Sequence, residues 1–233
     1  MFNGKMKAVT FSYDDGSLQD IRLTELFNKY GLKATFNLNS ELLGTPNTLL
    51  RNGVTVDHTK VNPQDVKHIY DGHEVAVHTL THPILTKIAD DNEVIREIEE
   101  DRLKLSELAG YEVEGMAYPF GILNERIAEL TRKHTGVKYA RTITSTYAYD
   151  PQVNLYRFNP TVYHIMEPRR DRLMELGHEF VNLNPETPKI FYIWGHAFEF
   201  DIFPDGWEYF EEFCKLISGH DDIFYGTNKE VLL

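Results

Sequence analysis

Apolar positions along this chain recur at two spacings, and the spacing changes wherever Gly, Pro or Asn interrupts it. Val9 and Phe11 alternate with polar neighbours, which predicts an extended segment running straight into Asp14-Asp15-Gly16. After Gly16, whose freedom permits a tight turn, Ile21, Leu23, Leu26 and Phe27 recur at helical spacing as far as Gly31. Further strands are predicted at 33–38, 74–78, 115–118, 137–142, 190–194 and 223–225. Between them the helical spacing returns. A short helix starts at Asn62-Pro63 and stops at Tyr70, where Asp71-Gly72 ends it. A long one, capped by Asp90 or Asp91, carries Val94, Ile95, Ile98, Leu105 and Leu108 on one face and ends at Gly110. Others follow Asn124, surround Leu173, Leu176 and Phe180, and run from about Trp207 to Ser218. Residues 42–60 read as a turn-rich connection, and 145–167 carry tyrosines and prolines without a period.

Strands alternating with helices imply parallel pairing through right-handed crossovers. About seven such strands suit a barrel-like sheet better than an open one, which makes the expected fold class α/β. No repeat, low-complexity run or linker divides the chain, so residues 1–233 are expected to form one domain.

Composition narrows the partners. With 24 basic and 36 acidic residues the chain carries a formal charge of −12, which argues against nucleic acid or an anionic membrane surface. Cys214 is the only cysteine, so neither an internal disulfide nor a cysteine zinc site is available. Lys5 and Lys7 lead into a strand rather than an apolar signal core, and no apolar run is long enough to span a bilayer. A soluble, cytoplasmic protein is the expectation.

Two stretches carry candidate chemistry. Asp14 and Asp15 stand at the C-terminal end of the first strand, where α/β folds place their sites, although an ordinary turn and helix cap also accounts for them. His78 and His82 follow another strand, and Pro83 disfavours helix at His82, so the pair falls on a tight loop. Two neutral imidazoles and one carboxylate suit Zn2+ or a similar divalent ion, with a position left for water. Such a site lowers the pKa of water from about 15.7 toward roughly 7. Taken alone, the histidine pair is better read as two surface residues; the carboxylate pair at another strand end is what favours a site.

In this order and company, the motifs resemble those of the polysaccharide deacetylases, the family 4 carbohydrate esterases. The first family motif ends in Asp-Asp-Gly and is matched by Thr10-Phe11-Ser12-Tyr13-Asp14-Asp15-Gly16, with Ser12-Tyr13 departing from its commonest form. Gly72-His73-Glu74 and His78-Thr79-Leu80-Thr81-His82 match the second, Pro119-Phe120-Gly121 the third, and the apolar strand leading to Gly195-His196 a late one. The resemblance implies a distorted (β/α) barrel and metal-dependent removal of N-acetyl groups from an amino sugar or an oligo- or polysaccharide. It implies Asp15, His78 and His82 as ligands of a divalent metal, Zn2+ foremost. Asp14 would be the base on the water at the metal, and His196 the acid on the departing amine. A backbone N–H near Phe120 would steady the oxyanion.

The departures are as specific as the matches. The family's arginine two residues before the third-motif proline is replaced by Ala117, and Arg141, on the next strand, is the expected substitute holding Asp14. The motif that orients the acid histidine is not evident; Glu199 and Asp201 are near enough in sequence to His196 to serve. Pro119, Phe120, Tyr13 and Trp194 are candidates for contact with a sugar, core packing being the competing account of Tyr13 and Trp194. Trp207, Phe210 and Cys214 read as core and His73 as structural, while His58, His68, His134, His164, His178 and His220 have no assigned role. The expected partner is an acetylated saccharide or a related small amide. Two other functions compete: hydrolysis of a non-sugar amide or cyclic amide on the same scaffold, and metal-bearing saccharide binding without catalysis.

Overall fold

The computed structural model describes residues 2–164 and 171–233. The chain opens with strand β1 (Lys7–Asp14) and helix α1 (Asp20–Lys29), followed by β2 (Ala34–Leu38), β3 (Thr48–Arg51) and β4 (Val54–Asp57). Next come α2 (Val66–Ile69), β5 (Glu74–Val77), α3 (Asp91–Ala109), β6 (Gly115–Ala117), α4 (Glu125–His134) and β7 (Tyr139–Arg141). The last part holds β8 (Val162–Tyr163), α5 (Arg172–Val181), β9 (Lys189–Gly195), α6 (Gly206–Ile217), β10 (Ile223–Tyr225) and α7 (Asn228–Leu232).

Seven parallel strands in the order β7-β6-β5-β2-β1-β9-β8 form one path that curls into a half-barrel, and β10 pairs with the first half of β1. The two ends of the path are tied together by irregular chain. The Phe158 N–H donates to Ala140 O (3.0 Å) and Phe158 O accepts from Thr142 N–H (2.9 Å), just before the chain continues into β8. The stretch 145–164, which shows no period, therefore works as a closing strap, and β8 lies within it. Residues 165–167 of that aperiodic stretch lie outside the described residues.

All eight residues of β1 are buried, so its polar positions do not face water as simple alternation suggests. Val9, Phe11 and Tyr13 point outward into the main core with Leu23 and Phe27 of α1 and Phe210 and Phe213 of α6. Thr10, Ser12 and Asp14 point into the barrel, where other polar groups satisfy them. Asn228 at the start of α7 donates from Nδ2 to Thr10 Oγ1 (2.8 Å), and Asn37 of β2 donates from Nδ2 to Ser12 Oγ (2.9 Å) and Asp14 Oδ1 (2.8 Å). Both faces of a parallel sheet are covered, and here one cover is a polar lumen.

Where the sequence pattern predicts only turns, residues 48–57 form an antiparallel hairpin. Its turn is Asn52-Gly53, both at positive φ (50° and 78°), the dipeptide that favours a two-residue hairpin turn. That pair is the sequence signal for the element; the weak alternation around it hides it. Among the described residues no helix is long and apolar enough to cross a membrane.

Candidate active site

A cavity of about 580 Å3 opens at the C-terminal ends of the strands. Asp14, Asp15, His78, His82, Trp194 and His196 line it together with Phe120, with Arg51 of the hairpin and with Asn47 and His58 at the hairpin's base. Asp14 is the last residue of β1 and keeps strand register, so it enters the lumen. Asp15 adopts a left-handed backbone (φ 83°), which turns its carboxylate toward the loop after β5. Gly16 follows at φ 63°, and a Cβ there would meet Leu38 Cδ2 at 2.8 Å, so the turn has room for glycine alone. Thr79 and His82 are also at positive φ (69° and 58°), as is Phe120 (58°). Such conformations cost about 1–3 kcal/mol each and gather where a site must be shaped.

Asp15, His78 and His82 come together at the mouth. One ligand atom from each lies within 4.8 Å of the others, and Asp15 Oδ1 is 3.8 Å from Nε2 of both histidines. The protonation states suit a divalent cation. His78 donates from Nδ1 to Ala117 O (2.7 Å), which places its proton there and leaves the Nε2 lone pair free. Burial pushes the His78 imidazole below its ordinary pKa, and burial with the neighbouring His78 pushes His82 down to about 4. Burial alone raises the Asp15 carboxyl, but the His58 hydrogen bond, Lys60 and the other cations outweigh it and hold the group well below its usual range. A carboxylate and two neutral imidazoles thus converge on one point beside a cavity, a donor set that fits Zn2+ or a similar ion.

Asp14 is held on the lumen side. Arg141 pairs in register with Ala117 across β6 and β7, and its side chain crosses the barrel to β1. Its Nη2 lies 2.5 Å from both oxygens of Asp14, Nε donates to Ser12 Oγ (3.1 Å) and Nη1 donates to Thr142 O (3.0 Å). The guanidinium also lies over the Trp194 ring, 4.6 Å from its centroid. Burial raises the Asp14 carboxyl, while Arg141, His78 and His196 bring it below its ordinary value. One nitrogen serves both oxygens, because the other two are already engaged.

On the far side, β9 delivers His196 to the mouth. Glu199, one turn later, lies with Oε2 3.2 Å from His196 Nδ1 and accepts from the His196 N–H (3.2 Å). Glu199 is itself held by His164, whose Nε2–H donates to Oε2 (2.8 Å), and by the Tyr163 hydroxyl on Oε1. The His164 ring occupies the space beside Gly195, where a Cβ would lie 2.2 Å from it. Burial lowers the His196 imidazole, but the Glu199 charge and hydrogen bond outweigh that and bring it up to about 9. Asp201 is elsewhere, accepting from Trp207 Nε1 (2.7 Å) and Gln19 Nε2 (2.8 Å).

Not every expected contact residue reaches the cavity. Phe120 is half exposed on its wall, with its ring edge-on to His82 (4.5 Å), and Trp194 lines it from below. Pro119 is buried and is not part of the lining. Tyr13 is excluded from sugar stacking: it points outward among Phe27, Phe36, Phe200 and Phe210, and its hydroxyl donates to His164 Nδ1 (3.1 Å). Strand register decides this, since Tyr13 neighbours an inward residue and must face the helices. His73 is structural, accepting the Ala34 N–H at Nδ1 (3.2 Å), and Trp207, Phe210 and Cys214 lie in the core. Sequence reasoning left His58 and His164 without roles; each is hydrogen-bonded to a carboxylate of the cavity wall. Their signal is three-dimensional, because neither belongs to a spaced motif.

A family model described as polysaccharide deacetylase matches residues 3–140, more than half of the 233. No curated protein matches the chain. Among solved structures, a candidate polysaccharide deacetylase from Mycobacterium smegmatis superposes with a TM-score of 0.65 at 17% identity, over 98% of this chain and 90% of that one. A family 4 carbohydrate esterase from Streptomyces lividans, solved with acetate, gives 0.60 at 16% identity over 96% and 92%. A polysaccharide deacetylase from Bacillus cereus gives 0.51 at 20% identity over 64% of this chain, which spans only 44% of that protein's length. At such identities the structural likeness is one of fold, and the match to the family model extends it to sequence. The chain belongs to the polysaccharide deacetylase family.

Proposed function

We propose that this protein is a metal-dependent hydrolase that removes N-acetyl groups from an amino sugar or a saccharide built from one. The observation that carries the reading is the convergence of three separate arrangements on one cavity: Asp14 with Arg141, Asp15 with His78 and His82, and His196 with Glu199. Asp15, His78 and His82 would hold the cation, whose chemistry when bound is to polarise the acetyl carbonyl and to lower the pKa of water. Asp14, kept ionised by Arg141, takes a proton from the attacking water as its oxygen bonds to the carbonyl carbon. A backbone N–H near Phe120 would receive the oxyanion. His196, protonated at neutral pH, gives its proton to the nitrogen as the C–N bond breaks, so acetate and a free amine leave. The proton on Asp14 then passes, directly or through solvent, to His196, and the proton left on the new carboxyl group goes to solvent, which restores the site. Phe120 and Trp194 give the saccharide an apolar wall.

The test is acetate release from N-acetylglucosamine oligomers by protein stripped with a chelator and reloaded with Zn2+. Release that depends on the metal is the expected result. Hydrolysis of cyclic amides, with no acetate from any acetylated sugar, would replace the proposal by the non-sugar alternative.

A further inference from the structure

We propose that His58, on the segment leaving the β3–β4 hairpin, is a positioning residue that sets the orientation of the Asp15 carboxylate for metal binding. The inference rests on the assignment of Asp15, His78 and His82 as the metal ligands. The direction of the hydrogen bonds can be followed atom by atom. The Thr48 N–H donates to Asn47 Oδ1 (2.8 Å), so the Asn47 amide turns its NH2 group toward His58, 3.1 Å from Nδ1. An NH2 group only donates, so Nδ1 accepts and the imidazole proton belongs on Nε2. That Nε2 lies 3.1 Å from Asp15 Oδ2. With Oδ2 engaged by His58, Oδ1 is the oxygen that faces Nε2 of His78 and His82, 3.8 Å from each.

The ring is not free to leave this arrangement. His58 is 6% exposed, its N–H donates to Asn47 O (2.8 Å), and its ring packs edge-on against Phe198 at 4.7 Å. Lys60 Nζ, 3.9 Å from Asp15 Oδ2, stands on the same flank. It also comes within 3.0 Å of His58 Nε2, but an ammonium only donates and an Nε2 that carries the proton cannot accept, so Lys60 contributes charge beside the carboxylate rather than a bond to the ring. An aspartate beside a cation has two oxygens to offer and several rotamers to offer them from, and binding must otherwise restrict that choice at entropic cost. Here the hairpin restricts it beforehand. The hairpin is not part of the barrel sheet, so it supplies an outer support to a ligand set carried by β1 and the loop after β5.

Zn2+ affinity, measured on the full chain by competition with a chromogenic chelator, tests this without relying on turnover. His58→Phe keeps a ring against Phe198 but removes the donor, and is expected to weaken Zn2+ binding about 10–100-fold. His58→Gln keeps a donor long enough to reach Oδ2 and is expected to recover most of the loss. A His58→Phe protein that binds Zn2+ as tightly as the unaltered chain overturns the inference. So does a His58→Gln protein that loses as much as His58→Phe, since packing alone then explains the ring. Unaltered protein that binds no Zn2+ overturns the metal assignment and this inference with it, whereas equal tight binding by the unaltered and His58→Phe proteins overturns the role of His58 alone.

Discussion

Asp14 and Asp15 are consecutive and chemically identical and line one cavity, yet they stand in different surroundings. Asp14 keeps the register of β1 and lies in the lumen, gripped by Arg141 and Asn37. Asp15 turns through a left-handed backbone and lies at the mouth, among His58, His78 and His82. Burial works against the charge on both, and the neighbours overcome it in both, but the neighbours differ in kind: Arg141 at Asp14, and the His58 hydrogen bond with Lys60 at Asp15. Asp14 has a permanent guanidinium close against it, which keeps it ionised without occupying it as a ligand. Asp15 faces neutral imidazoles that leave a place for a metal charge. The pair shows how one step along a strand, followed by one unusual φ, sorts two equal carboxylates into two environments, one that suits the proposed proton transfer and one that suits the proposed metal binding.

The difference is open to direct attack, and the largest effects should come from the metal side. Asp15→Asn, His78→Ala and His82→Ala are expected to lose divalent metal and activity together, down to the level of chelator-stripped protein. Elemental analysis beside acetate release checks this; full occupancy in His78→Ala would erase the distinction between the two carboxylates. On the proton side, Asp14→Asn and His196→Ala should keep the metal and lose at least about 10²-fold in turnover, the usual scale of general acid–base catalysis. Either variant turning over at a near-normal rate removes that residue from the mechanism. Arg141→Lys keeps the charge but not the planar set of donors to Asp14, Ser12 and Thr142 O. We expect a rate loss on the order of tenfold, the equivalent of one charge-assisted hydrogen bond of about 1.5 kcal/mol, with metal content unchanged. An unchanged rate would mean that Asp14 does not depend on the guanidinium.

The smallest effect at neutral pH, and the most diagnostic, concerns Glu199. The His196 pKa is raised to about 9, so the acid is protonated below that value and is lost as pH rises through it. The rate should therefore fall on the alkaline side. Glu199→Gln removes the main charge that raises the group, and the alkaline limb of kcat/KM should move to lower pH, toward the ordinary histidine value of about 6.5. A limb that stays in place shows that another group carries it.

Most of the barrel was legible because its strands and helices differ in period, and because glycines and prolines mark where one gives way to the other. The hairpin and β8 were not, for opposite reasons. The hairpin has a turn signal at Asn52-Gly53 but little alternation beside it, and β8 is two residues long inside an aperiodic strap. The polar lumen was hidden too. Thr10, Ser12 and Asn37 look like water-facing positions, and only the curling of the sheet turns them toward one another.

The sequence by itself determined which residue types stand at the ends of which strands: adjacent carboxylates after the first, a histidine pair after another, a lone histidine after a late one. It also carried the family, since those motifs are short and read in order. Tertiary structure alone decided which groups support them. Arg141 reaches Asp14 across 127 residues of chain, His58 reaches Asp15 across 43, and His164 reaches Glu199 across 35. Each of these contacts depends on strand order and on the direction in which a side chain leaves the backbone. Tyr13 illustrates the same limit, because its place in the motif suggests the cavity while register sends it to the core. Local pattern constrains neighbours along the chain; hydrogen bonds between distant residues exist only after the sheet has closed.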